Sequence, residues 1–365
     1  MRRRGDVDVS VVLDRARAAQ WRVAMVVPLQ GPAGLFGPSC EAIGELAVHD
    51  INSAGGILGR EAAIHVVDGG RAPELIADEV NRLASAGAID AVSGWHISSV
   101  RHALAPVVAG RVPYSYTSLY EGGETRNGIF CCGETPRQQI APALKWLRDN
   151  VGTRRWFVVG DDYVWPHGSL GAVRSYAHEL DLRIVGESFV DLGRGNMNRV
   201  VDAVAASECD GVLMLLVGQD AVDFNRAFAR RGLDDRILRF SPLMEENMLL
   251  ASGPRATRNL FAAAAYFRSL VDADSMDLVG RYVALHGAAA PPLNNAAESC
   301  YEGIQTLASL IHRAGSTSPD ALDVAMDGAA YNGPRGTVEF RNRVACQRIH
   351  LAVANGLDFD VVTTL

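Results

Sequence analysis

No apolar run in this chain of 365 residues reaches the ~20 residues that a membrane-spanning helix requires. The start of the chain lacks something too. After Arg2-Arg3-Arg4 a secretory leader needs an unbroken apolar stretch and a small-residue cleavage site, yet Asp6, Asp8, Asp14, Arg15 and Arg17 interrupt it. We therefore expect a cytoplasmic protein, or a periplasmic one if a leader has been removed. A basic balance is also missing. The formal net charge is −7, which argues against direct binding of nucleic acid phosphates. The six cysteines form no CxxC pairs at zinc spacing. Cys131-Cys132 read as small buried hydrophobes, and this cysteine usage fits a reducing compartment.

Catalytic signatures are equally scarce. There is no GxSxG elbow and no HExxH pair, and the histidines are scattered. His96 and Ser98 are close in sequence, but their side chains would compete on one side of the chain rather than relay a proton. Gly31 to Gly37 reads GxxGxxG rather than GxGxxG, no GKS or GKT follows, and Asp68 is the only acidic candidate at the ribose position. Acyl-enzyme, metal and dinucleotide chemistry are disfavoured. No catalytic residue, metal or cofactor is expected.

What the chain does have is apolar mass in a regular pattern. Hydrophobic residues make up 48% and charged residues 21%, so the chain is globular, and its length suits two domains. Apolar runs such as 22–28, 64–67 and 89–93 alternate with helical periodicities such as 39–54 and 73–86. The alternation occurs twice, before about residue 135 and after about residue 155. It predicts an α/β protein of two doubly wound parallel-sheet lobes. We expect an N-terminal extension over 1–20 and a first lobe over 21–135. A return of the chain over 260–330 completes that lobe. The second lobe covers 136–259 together with 331–365. Ligands of such sheets sit beyond the carboxyl ends of strands, here in the loops after Pro28, Ser93, Tyr116, Gly160 and Val217.

Three of those loops carry chemistry. Gly94-Trp95-His96-Ile97-Ser98-Ser99 leads from a strand into a helix. Ser98 at or near the N-cap has two open readings: a cap, or a hydroxyl that joins free backbone amides in holding a polar ligand group. Tyr114 to Gly122 is dense in hydroxyls, among them Tyr116 and Ser118. Gly160 to His167 offers Tyr163 and Trp165, two apart on one side of an extended segment, which either wall a ligand or pack the lobe interface. Together the loops suit a small, neutral, polar ligand better than a zwitterion or a phosphate.

Ile51-Asn52-Ser53-Ala54-Gly55-Gly56-Ile57-Leu58-Gly59-Arg60 resembles the N-x-x-G-G-[IV]-x-G-[RK] segment of type I periplasmic binding proteins of the branched-chain amino acid class. GWHISSVRHALAPVV from Gly94, YTSLYEG from Tyr116 and GDDYVWP from Gly160 are similar to the short-chain amide and urea receptor branch. The segments Gly133 to Gln139 and Ala227 to Arg231 are similar to it as well. The resemblance runs from about Arg22 to about Leu351. It implies a clamshell closing on its ligand, with Ser98 and Ser118 bonding a small amide and Tyr116, Tyr163 and Trp165 enclosing it. His96 stands where the branch carries a tyrosine or threonine, and Gly218 and Glu245 fall in second-lobe loops near the cleft. The expectation that follows is a cytoplasmic sensor of short aliphatic amides, signalling by open/closed switching to a regulator protein of an amidase or nitrile-hydratase operon. The alternative is the substrate-binding protein of an ABC transporter for amides, urea or branched-chain amino acids. The expected partners are an amide-like ligand and that regulator, without direct nucleic acid binding; homo-oligomerisation is open.

Overall fold

The computed structural model describes residues 20–365, so the expected extension over 1–20 lies almost wholly outside the described residues. Strand β1 (Gln20–Val27) sits inside the first sheet, between β2 (Glu61–Asp68) and β3 (Ala91–Gly94), parallel to both. Burial on both faces explains its unbroken apolar run. The strands β4 (Tyr114–Tyr116) and β5 (Ile129–Cys131) continue the parallel order. A 3-10 turn over Pro32–Phe36 leads into helix α1 (Gly37–Ser53), whose Ile43, Leu46, Ala47 and Ile51 share the buried face. Helices α2 (Pro73–Ser85) and α3 (Ser98–Val108) are the next crossovers.

The second lobe repeats the plan. Helix α4 (Pro136–Asn150) opens with a capping box between Thr135 and Gln138. Then come β6 (Arg155–Asp161), α5 (Val164–Glu179), β7 (Arg183–Val190), α6 (Met197–Ala206) and β8 (Gly211–Leu215). Helix α7 (Gln219–Arg230), β9 (Leu238–Ser241), α8 (Glu246–Ser252) and β10 (Leu260–Ala264) follow. The order β7-β6-β8-β9-β10 is parallel throughout.

The chain then returns to the first lobe through α9 (Ala273–His286), α10 (Asn295–Ala314) and α11 (Pro319–Met326). Helix α10 lies along α1, and its Tyr301 hydroxyl donates to Asp50 at 2.9 Å. The short strands β11 (Ala330–Gly333), β12 (Gly336–Arg341) and β13 (Val344–Cys346) extend the first sheet beyond β5. Strands β14 (His350–Asn355) and β15 (Asp358–Thr364) extend the second beyond β10. Both margins are antiparallel, so the sheets are mixed rather than wholly parallel.

Two expected boundaries move. Residues 260–264 belong to the second lobe, because β10 pairs with β9 through Phe261 and Phe240. Residues 331–346 belong to the first lobe, because β12 and β13 add to the β5 edge. The three connections between lobes are braced by side chains. Glu134 accepts from the Ala265 amide at 2.9 Å and from Asn295 at 3.2 Å, and Gln347 donates to the Cys132 carbonyl at 3.3 Å.

Candidate functional site

The site begins with a glycine. Gly94 ends β3 with φ of 128°, and a Cβ there would lie 2.3 Å from the Val26 carbonyl oxygen. Only a residue without a side chain lets β3 pass β1 this closely. The loop then turns Trp95 onto the Phe36 ring, with centroids 4.5 Å apart, and folds His96 back into the lobe.

Both ring nitrogens of His96 are taken. Nδ1 lies 3.0 Å from the Val26 carbonyl, and Nε2 lies 2.5 Å from the Tyr114 hydroxyl. A carbonyl only accepts, so Nδ1 carries the proton and Nε2 accepts from Tyr114. Burial pushes the ring down to about 4, opposed by the Val26 bond and helped by the charge of Arg101. His96 is therefore a neutral brace. It lines the cleft but offers a ligand no free ring nitrogen.

Ser118 has a similar fate. Its hydroxyl accepts from the His96 amide at 2.9 Å and donates to the His96 carbonyl at 2.7 Å. The Tyr116 hydroxyl donates to the same carbonyl at 2.9 Å. The loops after β3 and β4 are thus stitched together through one backbone unit. The expected ligand bond from Ser118 is spent inside the protein.

Ser98 is different. Ile97 occupies the N-cap of α3, so Ser98 stands in the first turn and does not cap. Its hydroxyl lies 3.4 Å from the Tyr116 hydroxyl and also faces the Glu121 carboxylate. The first helical bonds are given by Val100 and Arg101 to the Ile97 carbonyl, leaving the amides of Ser98 and Ser99 as the orphan donors of a helix start. Ser98 and those amides are the polar end of the cleft.

Lobe two closes the space. Tyr163 and Trp165 stand at the start of α5 with ring centroids 6.3 Å apart. With Leu243 from the loop after β9 they face Trp95, His96, Ile97, Ser98, Tyr116, Ser118 and Leu119 across about 190 Å³ of empty space. Within it the space free to a water molecule is only about 10 Å³, room for about one water in this closed form. No charged side chain lines it. Six of the eight expected site residues meet here: His96, Ser98, Tyr116, Ser118, Tyr163 and Trp165.

Gly218 and Glu245 do not. Gly218 is the N-cap of α7, with φ of 50°, and a Cβ there would lie 2.0 Å from the Pro32 carbonyl oxygen. It is a point where the lobes touch. Glu245 is buried at the connection between lobes, where its carboxylate accepts from the Ala296 amide at the start of α10 at 3.0 Å. Burial, with Glu246 and Glu134 nearby, holds its carboxyl well above the ordinary range. Four lining residues went unpredicted. Trp95, Ile97 and Leu119 flank residues that were singled out, and their apolar character masked them. Leu243 carried no signal beyond its place after a strand.

The rest of the chain supports this cleft. Arg101 is buried behind it, paired with Glu124 at 2.6 Å and with Glu121, and lies 5.3 Å from the centroids of both Tyr116 and Tyr120. Asn247 of the second lobe donates to the Leu35 carbonyl of the first at 2.7 Å.

A two-lobed α/β clamshell with its cleft at the strand ends matches a known family. The model of the family described as "Periplasmic binding protein" matches residues 20–355. The chain belongs to the periplasmic binding protein family. Among its curated relatives, Leu/Ile/Val-binding protein homolog 1 of Brucella melitensis is 22% identical over 309 residues, covering 83% of this chain and 81% of the relative. The Leu/Ile/Val-binding protein BraC3 of Rhizobium johnstonii is 26% identical over 196 residues, covering 52% of this chain and 53% of the relative.

Solved structures agree on the fold. LivJ of Streptococcus pneumoniae in complex with isoleucine superposes with a TM-score of 0.82 at 15% identity, over 94% of this chain and 99% of that one. A solute binding protein of an R. palustris ABC transporter in complex with benzoate gives 0.81 at 18%, over 94% and 96%. These relatives overturn the expectation of a cytoplasmic sensor signalling to an operon regulator. They are Leu/Ile/Val-binding and transporter solute-binding proteins, which favours the transporter alternative. No helix among the described residues is long and apolar enough to cross a membrane.

Proposed function

We propose that this member of the family is the periplasmic solute-binding component of an ABC transporter, and that it binds a compact solute with one hydrogen-bond-accepting head, without turnover. The head is a carboxylate held by the Ser98 hydroxyl and the first amides of α3, where a helix start favours negative charge. The apolar body lies between Tyr116, Tyr163 and Trp165, over Ile97, Leu119 and Leu243. The supporting observation is the lining itself, in which donors sit at one end and no charged side chain is among the lining residues. An α-amino acid would have only Glu121, already paired with Arg101 and His102, to offer its ammonium group, and burying that group poorly paired costs several kcal/mol. The permease of the transporter is the partner this reading requires.

Calorimetry with leucine, 4-methylpentanoate, benzoate, acetamide and urea tests it. The monocarboxylates are expected to bind, and leucine to bind at least tenfold more weakly than 4-methylpentanoate. Tight leucine binding with none by the acids would replace this reading with amino acid recognition.

A further inference from the structure

The molecule carries a formal charge of −7, yet one face of its second lobe is basic. Two grooves flank helix α7. One is lined by Arg194, Arg226 and Arg230 with the start of α6, the other by Arg226, Arg230 and Arg255 with the Gly253-Pro254 turn. Asp223 is the only acidic residue lining either groove, and Gln219 donates to it at 2.9 Å. All four arginines are exposed, and none forms an ion pair among the described residues. Instead, neutral acceptors hold two of them in place. Arg226 donates to the Ala251 carbonyl, and Arg230 lies 3.4 Å from the Asn198 amide oxygen. Four exposed arginines without ion pairs, with Asp223 the one acid lining their grooves, form on a net acidic protein a surface complementary to negative charge.

We infer that this face docks an acidic protein segment, with aspartate or glutamate carboxylates entering the two grooves. Arginine sets the chemistry. Its planar fork bonds a carboxylate through two parallel N–H groups, whereas lysine is a point charge. The grooves are concave and divided by α7, which suits side chains projecting from a strand or helix better than a flat lipid surface. They also present no aromatic or large apolar wedge for insertion into lipid. The face reaches the cleft. Arg194 follows Gly193, and a Cβ on Gly193 would lie 2.6 Å from Pro32 of the first lobe. A partner seated here lies beside a contact that the lobes make when closed.

The test uses the full chain and a fluorescent peptide rich in glutamate, followed by polarisation at low and physiological salt. Arg226→Glu with Arg230→Glu removes the centre of the face, and neither residue lines the ligand cleft. The control is Arg154→Glu with Arg183→Glu, the same change in charge elsewhere on the lobe. The wild type and the control are expected to bind the peptide with affinity that falls as salt rises. The Arg226/Arg230 variant is expected to lose at least tenfold, with an unchanged melting midpoint. Equal loss in the control, no binding by the wild type, or sedimentation with phosphatidylglycerol vesicles in place of peptide binding would overturn the inference. None of these readouts involves the transported solute.

Discussion

A histidine buried without its charge makes the cleft loop sensitive to acid. The His96 ring titrates at about 4 in the folded chain, below the ordinary ~6.5. Between those values the unfolded chain holds a proton that the folded chain does not. Its contribution is therefore complete above pH ~6.5 and declines as pH falls towards 4, by at most ~3 kcal/mol at 1.36 kcal/mol per unit. The expected result is a gap in unfolding free energy between wild type and His96→Gln that is widest near neutrality and narrows towards pH 4.5, measured by urea titration. A gap independent of pH would show that His96 is not held neutral. Ser98 acts on ligand rather than fold. Ser98→Ala should weaken solute binding about tenfold, since losing a bond and orphaning its partner costs ~1–3 kcal/mol. Unchanged affinity by calorimetry would remove Ser98 from the site. Trp165→Ala should weaken binding to a similar degree by opening the wall.

At the scale of elements, α3 carries both the polar head of the cleft and its support. Arg101 sits one turn behind Ser98, clamped by Glu121 and Glu124 and placed over Tyr116. Arg101→Met would leave Glu121 only His102 and leave Glu124 only Arg126 as charged partners, both half-exposed, and breaking a buried pair costs up to ~3–5 kcal/mol. The melting midpoint should fall by many degrees, with partial rescue on adding Glu121→Gln and Glu124→Gln. Failure of rescue would mean that the arginine matters for its packing and not its charge. The long elements were legible in the sequence, because β1 is an apolar run buried on both faces and α1 has a clear helical face and a double-glycine exit. The short strands β11 and β13 were not, since three or four residues at a sheet margin give no periodicity to read. The loops of the site were legible for the same reason as the sheets, because strand ends locate them. The direction of each side chain was not. Ser118 and His96 carry polar atoms that look available in a sequence, yet the His96 backbone takes the Ser118 hydroxyl, and Val26 and Tyr114 take the His96 ring. Gly218 and Glu245 were placed in the right neighbourhood, but one faces Pro32 and the other faces the start of α10.

For the whole molecule, closure depends on glycines that let the lobes approach. Gly168 lies in α5, and a Cβ there would come within 2.7 Å of the Glu121 Cβ across the cleft. Gly168→Ala favours the helix by up to ~1 kcal/mol, so the second lobe should be as stable as before or more so. Closure should suffer. We expect a larger radius of gyration by X-ray scattering and a several-fold loss of solute affinity with no drop in melting midpoint. Unchanged scattering and affinity would show that Glu121 yields without opening the clamshell.

The strands β11 to β13, which complete the first sheet only after the whole second lobe has been traversed, also constrain how the chain is made. A ribosome delivers β1 to β5 early, but the β5 edge stays unpaired until residues 330–346 emerge. For about two hundred residues of synthesis an apolar strand, Ile129 to Cys131, has an open flank, the kind of edge that recruits other chains. A nascent chain arrested after β10 should therefore be aggregation-prone even though every strand of the first βαβ series is present. Moving the termini by circular permutation so that β11 to β13 come first would close that edge during translation.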